Sequence, residues 1–225
     1  MKRGNFIYMS YKLGLIFSFS IGIAAIIGWI RFKKVNPAYY PFIFCMWLGF
    51  LNEIIGYFIT HRGYSNAINN NIYVLAESLL FTWQFKNWRL FHRSKYLFPL
   101  LIISLILIWI TEGFLIKGIN HMFTYFRIIY SFLIVLMSIN MINRQLMRER
   151  KSIYKNPIFI ICMAFLVYYT FTVIVVVFWQ YGLNVSMQFV MNITTILIYI
   201  NLFTNLIFAL AILWIPTKHR FSLPF

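Results

Sequence analysis

Apolar runs of 18 or more residues recur along this 225-residue chain, separated by short polar or basic turns. Runs of that length read as transmembrane helices. Seven can be delimited, at about 11–30, 39–60, 70–88, 97–116, 120–142, 157–179 and 187–215. At 1.5 Å per residue each is long enough for a hydrocarbon core of about 30 Å. Charged residues make up only 11% of the chain, against about a quarter in a soluble domain. The expected fold is therefore all-α: residues 1–225 as a single transmembrane domain, a polytopic bundle of seven helices without a soluble appendage.

The formal charge of +16 would suggest nucleic acid in a soluble protein. Here the charges sit in clusters between apolar runs, with no folded domain to present a basic face. Topology and anionic lipid headgroups account for them, and the bilayer, not nucleic acid, is the expected partner. The first-to-second turn carries Arg31, Lys33 and Lys34, and the third-to-fourth carries Lys86, Arg89, Arg93 and Lys95. The fifth-to-sixth carries Arg144, Arg148, Arg150, Lys151 and Lys155, and the tail carries Lys218 and Arg220. These are 14 of the 20 Lys and Arg; Lys2, Arg3, Lys12, Arg62 and Lys117 fall on the other side. The bias places the C-terminus in the cytoplasm and the N-terminus outside a cell (inner) membrane. Ala24 and Ala25 could suit a signal-peptide cleavage, but the run continues to Arg31, Lys33 and Lys34, a stop-transfer pattern, so cleavage is not expected.

Against this background the ionisable residues inside the runs stand out. The chain has four acidic residues and no Asp; Glu53 and Glu77 lie well inside the second and third spans, and Arg127, in the fifth, is the one Lys or Arg away from the span ends. Charged groups in a membrane core are costly and mark functional sites by default. Each is about seven residues from the outer end of its span, or about 10 Å, so the three should meet at one depth. Asn52 and Tyr57 flank Glu53, with Gly56 allowing close helix approach. Tyr73 precedes Glu77 by one turn, and Thr124 and Tyr130 share the Arg127 face. Gln188 and Asn192 enter from the seventh span, and Tyr168, Tyr169 and Thr172 from the sixth. The expectation is an outward-facing polar pocket in which Arg127 holds one or both carboxylates. The excess negative charge would be met by a proton or by a small cationic or amine ligand. A helix-locking ion pair is the alternative.

Other candidates carry less chemistry. His61, Glu112 and His121 lie near outer loops without metal-ligand spacing, so no metal or cofactor is expected. Asn201 and Asn205 read as helix-packing hydrogen bonds. Cys45 and Cys162 read as small buried hydrophobes. Asn184 opens a glycosylation pattern, and Trp83, Trp88, Trp109 and Trp179 read as an interfacial belt.

The acidic second and third spans, the turn containing Asn69, Asn70 and Asn71, and the ending Leu213, Trp214, Ile215, Pro216, Thr217 and Lys218 resemble small bacterial seven-helix membrane proteins without an assigned activity. That resemblance implies no substrate. Retinal proteins need a lysine in the last span, absent from 187–215. PQ-loop carriers need a Pro-Gln pair, and membrane hydrolases of the ceramidase type need intramembrane His and Asp; neither occurs. With no nucleophile–base pair in sight, the expectation is a non-enzymatic sensor or ligand-binding subunit. Its basic turns at 86–95 and 144–155 are candidate docking surfaces for a cytoplasmic signalling protein. A small transporter or proton-coupled carrier using Glu53 and Glu77 is the second reading. Pro41 to Met46 echoes Pro157 to Met163, which would suit a triplet, linker and triplet arrangement.

Overall fold

The computed structural model describes residues 14–92, 94–148, 153–182 and 185–217. The readings above that rest on Lys2, Arg3, Lys12, Arg93, Arg150, Lys151, Asn184, Lys218 and Arg220 lie outside those residues. The chain is all-helical. Among the described residues the one β-type pairing is an antiparallel bridge between Val35 and Thr217. The helices are α1 (Ile21–Arg31), α2 (Tyr40–His61), α3 (Ala67–Asn87), α4 (Leu97–Ile110, extended by the π-helical turn Thr111–Ile116), α5 (Tyr125–Arg148), α6 (Pro157–Tyr181) and α7 (Met187–Trp214). Among the described residues six segments are long and apolar enough to cross a membrane: Gly14–Arg31, Pro37–His61, Leu97–Ile116, Tyr125–Met147, Pro157–Tyr181 and Gln188–Trp214. This is a multi-pass membrane protein.

Helix α3 is long enough but too polar to join those six. Its polar residues have a common direction. Asn71, Ser78, Thr82 and Gln84 are buried and Asn69, Asn70 and Glu77 half-buried, whereas Ile68, Ile72 and Trp83 are exposed. The low hydropathy of α3 therefore comes from an inward polar stripe, while its outward side is largely apolar.

Local sequence explains the helix ends. Asn36 and Asn156 each stand before a proline and accept a backbone N–H two residues on, at 2.9 Å in both cases. Proline at the first helical turn gives up an N–H that would have no partner there. Helix α1 is preceded by a helical turn at 14–18 and a tight kink at Phe19 and Ser20. Ser18 and Ser20 turn their hydroxyls back onto the carbonyls of Leu15 and Phe17 at 3.0 and 2.5 Å, back-bonding that bends helices.

Packing closes six helices into a ring: α1 on α2, α2 on α3, α3 on α5, α5 on α6, α6 on α7, and α7 back on α1. Helix α4 lies outside, against α3 and α5, and in its α-helical part buries Leu105 alone. Its 14 α-helical residues contain one polar side chain, Ser104, so it has no polar face to contribute.

Hydrogen bonds tie the basic turns together at one end. Arg31 caps the C-terminus of α7, donating to the carbonyls of Ile212 (2.6 Å), Leu213 and Ile215 (3.2 Å), a favourable place for a cation at a helix C-terminus. Arg144 donates to the Arg89 carbonyl at 3.0 Å. Gln84 accepts from Phe42 N–H (2.9 Å) and donates to the Ala38 carbonyl (2.7 Å). Two of the four expected belt tryptophans are packing residues instead: Trp88 is buried, and Trp109 donates to the Asn71 carbonyl at 2.9 Å.

Candidate functional site

A cavity of about 180 Å³ lies inside the ring, and all six ring helices or their flanks line it. Glu53, Glu77, Arg127, Asn52, Tyr73 and Tyr169 all reach it. Ser18, Asn70, Tyr130, Ser131, Tyr168, Thr172, Asn201 and Asn205 complete its polar lining. It is smaller than the roughly 300–1,000 Å³ of pockets for drug-sized ligands.

Glu77 sits at the middle of α3. Tyr73, one turn earlier, donates to Oε1 at 2.8 Å, and Tyr130 of α5 donates to Oε2 at 2.9 Å. The Tyr130 and Tyr169 hydroxyls are 2.7 Å apart, extending the network to α6. Gly49 lines the wall beside it, and a Cβ there would lie 3.3 Å from the Tyr73 hydroxyl and 2.4 Å from Ile21. Glu53 is half-buried on α2 beside Ser18. Asn52 accepts from Asn69 at 2.9 Å, locking α2 to the start of α3. Asn205 donates to Ser20 Oγ at 2.9 Å, at the kink before α1. Asn201 and Asn205, expected only as packing groups, are thus cavity residues as well.

The expected Arg127 ion pair is not formed. Among the described residues the only Lys or Arg within 4.0 Å of a carboxylate is Lys117, 3.9 Å from Glu112. Arg127 does reach the cavity of Glu53 and Glu77, but its helix begins at Tyr125, not near residue 120. Glu112, 1% exposed, takes up the N–H groups that a longer helix would have used. Its Oε1 accepts from Thr124 N (2.7 Å) and Tyr125 N (3.1 Å), and its Oε2 from Phe126 N (2.6 Å). A carboxylate at a helix N-terminus satisfies donors that lack intrahelical partners and complements the helix dipole. Asn71 holds the preceding loop through the carbonyls of Ile119 and His121 (3.1 and 2.8 Å) and Phe123 N–H (3.0 Å). Arg127 consequently enters the cavity from the first turn of α5. Glu112 is a helix cap, and no cluster of three His, Cys, Asp or Glu side chains suited to a metal occurs among the described residues.

Two expected site residues lie elsewhere. Tyr57 is 40% exposed and stacks on His61 at 5.8 Å. The inward stripe of α2 runs through Gly49, Asn52 and Gly56, which leaves Glu53 at its edge and Tyr57 beyond it. Asn192 is exposed and hydrogen-bonded to Gln188 at 3.1 Å; nine residues from Asn201, it falls on the opposite side of α7. Ser131, by contrast, escaped notice, although Arg127, Ser131, Ser138 and Gln145 share one helical face, and the last three are buried.

Phenylalanines close the cavity toward the basic end. Phe165 contacts Phe81 at 4.6 Å, Phe208 at 5.4 Å, Phe85 at 6.2 Å and Phe42 at 6.4 Å, and it lies 5.9 Å from Tyr169 in the cavity wall. All five phenylalanines are at most 5% exposed.

No family model, curated protein or solved structure matches this chain.

Proposed function

We propose that the chain crosses the cell (inner) membrane seven times, N-terminus outside and C-terminus in the cytoplasm, and serves as a sensor or ligand-binding subunit with its cavity facing outward. Seven crossings are supported by the apolar outward side of α3. The orientation is supported by the basic turns gathered at one end. The observation that carries the function is the pairing of a charged cavity with an aromatic floor. Glu53, Glu77 and Arg127 line a space that the Phe165 cluster separates from the basic end. A binder that reports occupancy needs such a cavity and no route through it. The basic turns would then face a separate cytoplasmic signalling protein. The second reading, a small carrier, is favoured by Asn201 and Asn205, which carry polar lining into the middle of α7.

A ligand that binds only the native state raises its melting temperature. A thermal-shift screen of small amines, amino acids and metal ions, on the full chain in detergent, should find a stabiliser whose effect is lost in Glu53→Gln. Absence of any stabiliser, or stabilisers indifferent to Glu53→Gln, would reduce the cavity to a helix clamp.

A further inference from the structure

We infer that the ligand is a small zwitterion of the free amino-acid class, its ammonium on Glu53 and its carboxylate on Arg127 and Ser131. The inference rests on the reading of the cavity as a ligand site and names what that site selects. Three observations converge. First, Glu53 and Arg127 reach one cavity from α2 and α5, which are not neighbours in the ring, and among the described residues no carboxylate comes within 4.0 Å of the guanidinium. Second, Glu77, which lines the same cavity, makes its hydrogen bonds with Tyr73 and Tyr130 and forms no ion pair with Arg127. Third, Ser131, one turn after Arg127 on the same face, is fully buried, lines the cavity, and has no hydrogen-bond partner for its hydroxyl among the described residues. A buried polar group left unpaired is costly, and in native structures it commonly signals a missing partner.

The protein thus offers an anion on one wall and, on another, a guanidinium with a hydroxyl beside it. A simple amine would satisfy Glu53 and bring a second cation toward Arg127. A simple carboxylate would satisfy Arg127 and be repelled by Glu53. A molecule carrying both charges satisfies both walls, and the planar guanidinium suits a carboxylate bidentately. A cavity of about 180 Å³ limits it to a small one. A phosphate ester of an amino alcohol has related chemistry and would represent a lipid headgroup.

The test uses the full-length chain in detergent and phosphate buffer, free of amine and carboxylate buffers. The probes are glycine, β-alanine, γ-aminobutyrate, butylamine, butyrate and phosphoethanolamine, ranked by thermal shift and then by equilibrium binding. At least one amino acid should bind about tenfold or more tightly than butylamine and butyrate, the worth of one charge-assisted hydrogen bond. Arg127→Gln should erase that advantage while leaving a residual amine response, and Glu53→Gln should abolish both. If Arg127→Gln does not fold, Arg127→Lys carries the same test, since it keeps the charge and loses the bidentate geometry. Ser131→Ala should weaken the amino acid and leave butylamine unchanged. An amine response equal to the amino-acid response and indifferent to Arg127 overturns the zwitterion while the ligand site stands. Tighter binding of phosphoethanolamine overturns the amino-acid assignment in favour of a lipid headgroup. No response to any of these probes overturns the zwitterion, and the ligand site itself falls only if the wider screen of amines and metal ions is silent too.

Discussion

Tyr130 on α5 donates its hydroxyl to Glu77 on α3 at 2.9 Å, a polar link between the two sets of three helices that make the ring. Helix α4 separates those sets in sequence but stands outside them in space. A hydrogen bond between transmembrane helices contributes roughly 0.6–1.7 kcal/mol, so Tyr130→Phe should lower the melting temperature in detergent measurably. A double-mutant cycle with Glu77→Gln should return a coupling of that size. Near-additivity would mean that the bond does not form in solution.

The Arg127 and Glu77 pair should behave in the opposite way. Had they formed a buried ion pair, Arg127→Ala would cost more than Arg127→Ala combined with Glu77→Gln, because removing one partner strands a charge. With no contact within 4.0 Å but a shared cavity wall, the coupling should stay well below the roughly 3–5 kcal/mol of a buried pair that loses one partner. A double mutant that melts well above Arg127→Ala alone would restore the ion pair.

Glu112 shows which parts of this site the sequence reveals. The six apolar helices follow from hydropathy, and the convergence of Glu53, Glu77, Tyr73 and Tyr169 on one cavity from the cost of charge in lipid. The start of α5 does not, because hydropathy cannot tell a helix from an apolar loop whose N–H groups are held by a distant carboxylate and by Asn71. Arg127 therefore reached the expected site by a different route, and its expected partner was wrong. Tyr57 and Asn192 face outward instead of into the cavity, because polar residues near a helix end sit as easily in headgroups as in a bundle. Helix α4 carries no polar stripe, and it stands outside the ring with Leu105 alone buried in its α-helical part.

Glu112→Ala should consequently act at the cavity although Glu112 is not in its wall. Three N–H groups at the start of α5 lose their acceptor, a cost of at least about 2 kcal/mol. Arg127, the next residue after Phe126, loses its fixed position. The expected outcome is a lower melting temperature together with a lost response to any Arg127-dependent ligand, and no effect of chelators on the wild type. A metal-dependent melting temperature would return Glu112 to the role of ligand.

Whether α3 crosses the membrane can be read from its two flanks. Ser65 and Ser94 are exposed, one on each side of α3, and the native cysteines are buried. Ser65→Cys should react with a membrane-impermeant maleimide added to intact cells, and Ser94→Cys only after permeabilisation. Reporter fusions should place residue 220 in the cytoplasm. Labelling of both cysteines from one side would mean that α3 does not cross, leaving six crossings and a reversed orientation for one half of the chain.

The aromatic floor decides between sensor and carrier. Phe165 is at the centre of five buried phenylalanines directly below Tyr169. A carrier must open this floor in each cycle, whereas a sensor can keep it shut. Proteoliposomes of the wild-type chain, preloaded with unlabelled ligand, should therefore show no counterflow uptake of the labelled compound that stabilises the protein. Phe165→Ala removes the hub and should destabilise the fold by about 3–5 kcal/mol on the scale of buried Phe→Ala changes. It should also open a slow leak between the cavity and the basic end, because Asn201 and Asn205 already carry polar lining toward that side. Saturable counterflow in the wild type, lost in Glu53→Gln, would replace the sensor with the carrier and make the Phe165 cluster its inner gate.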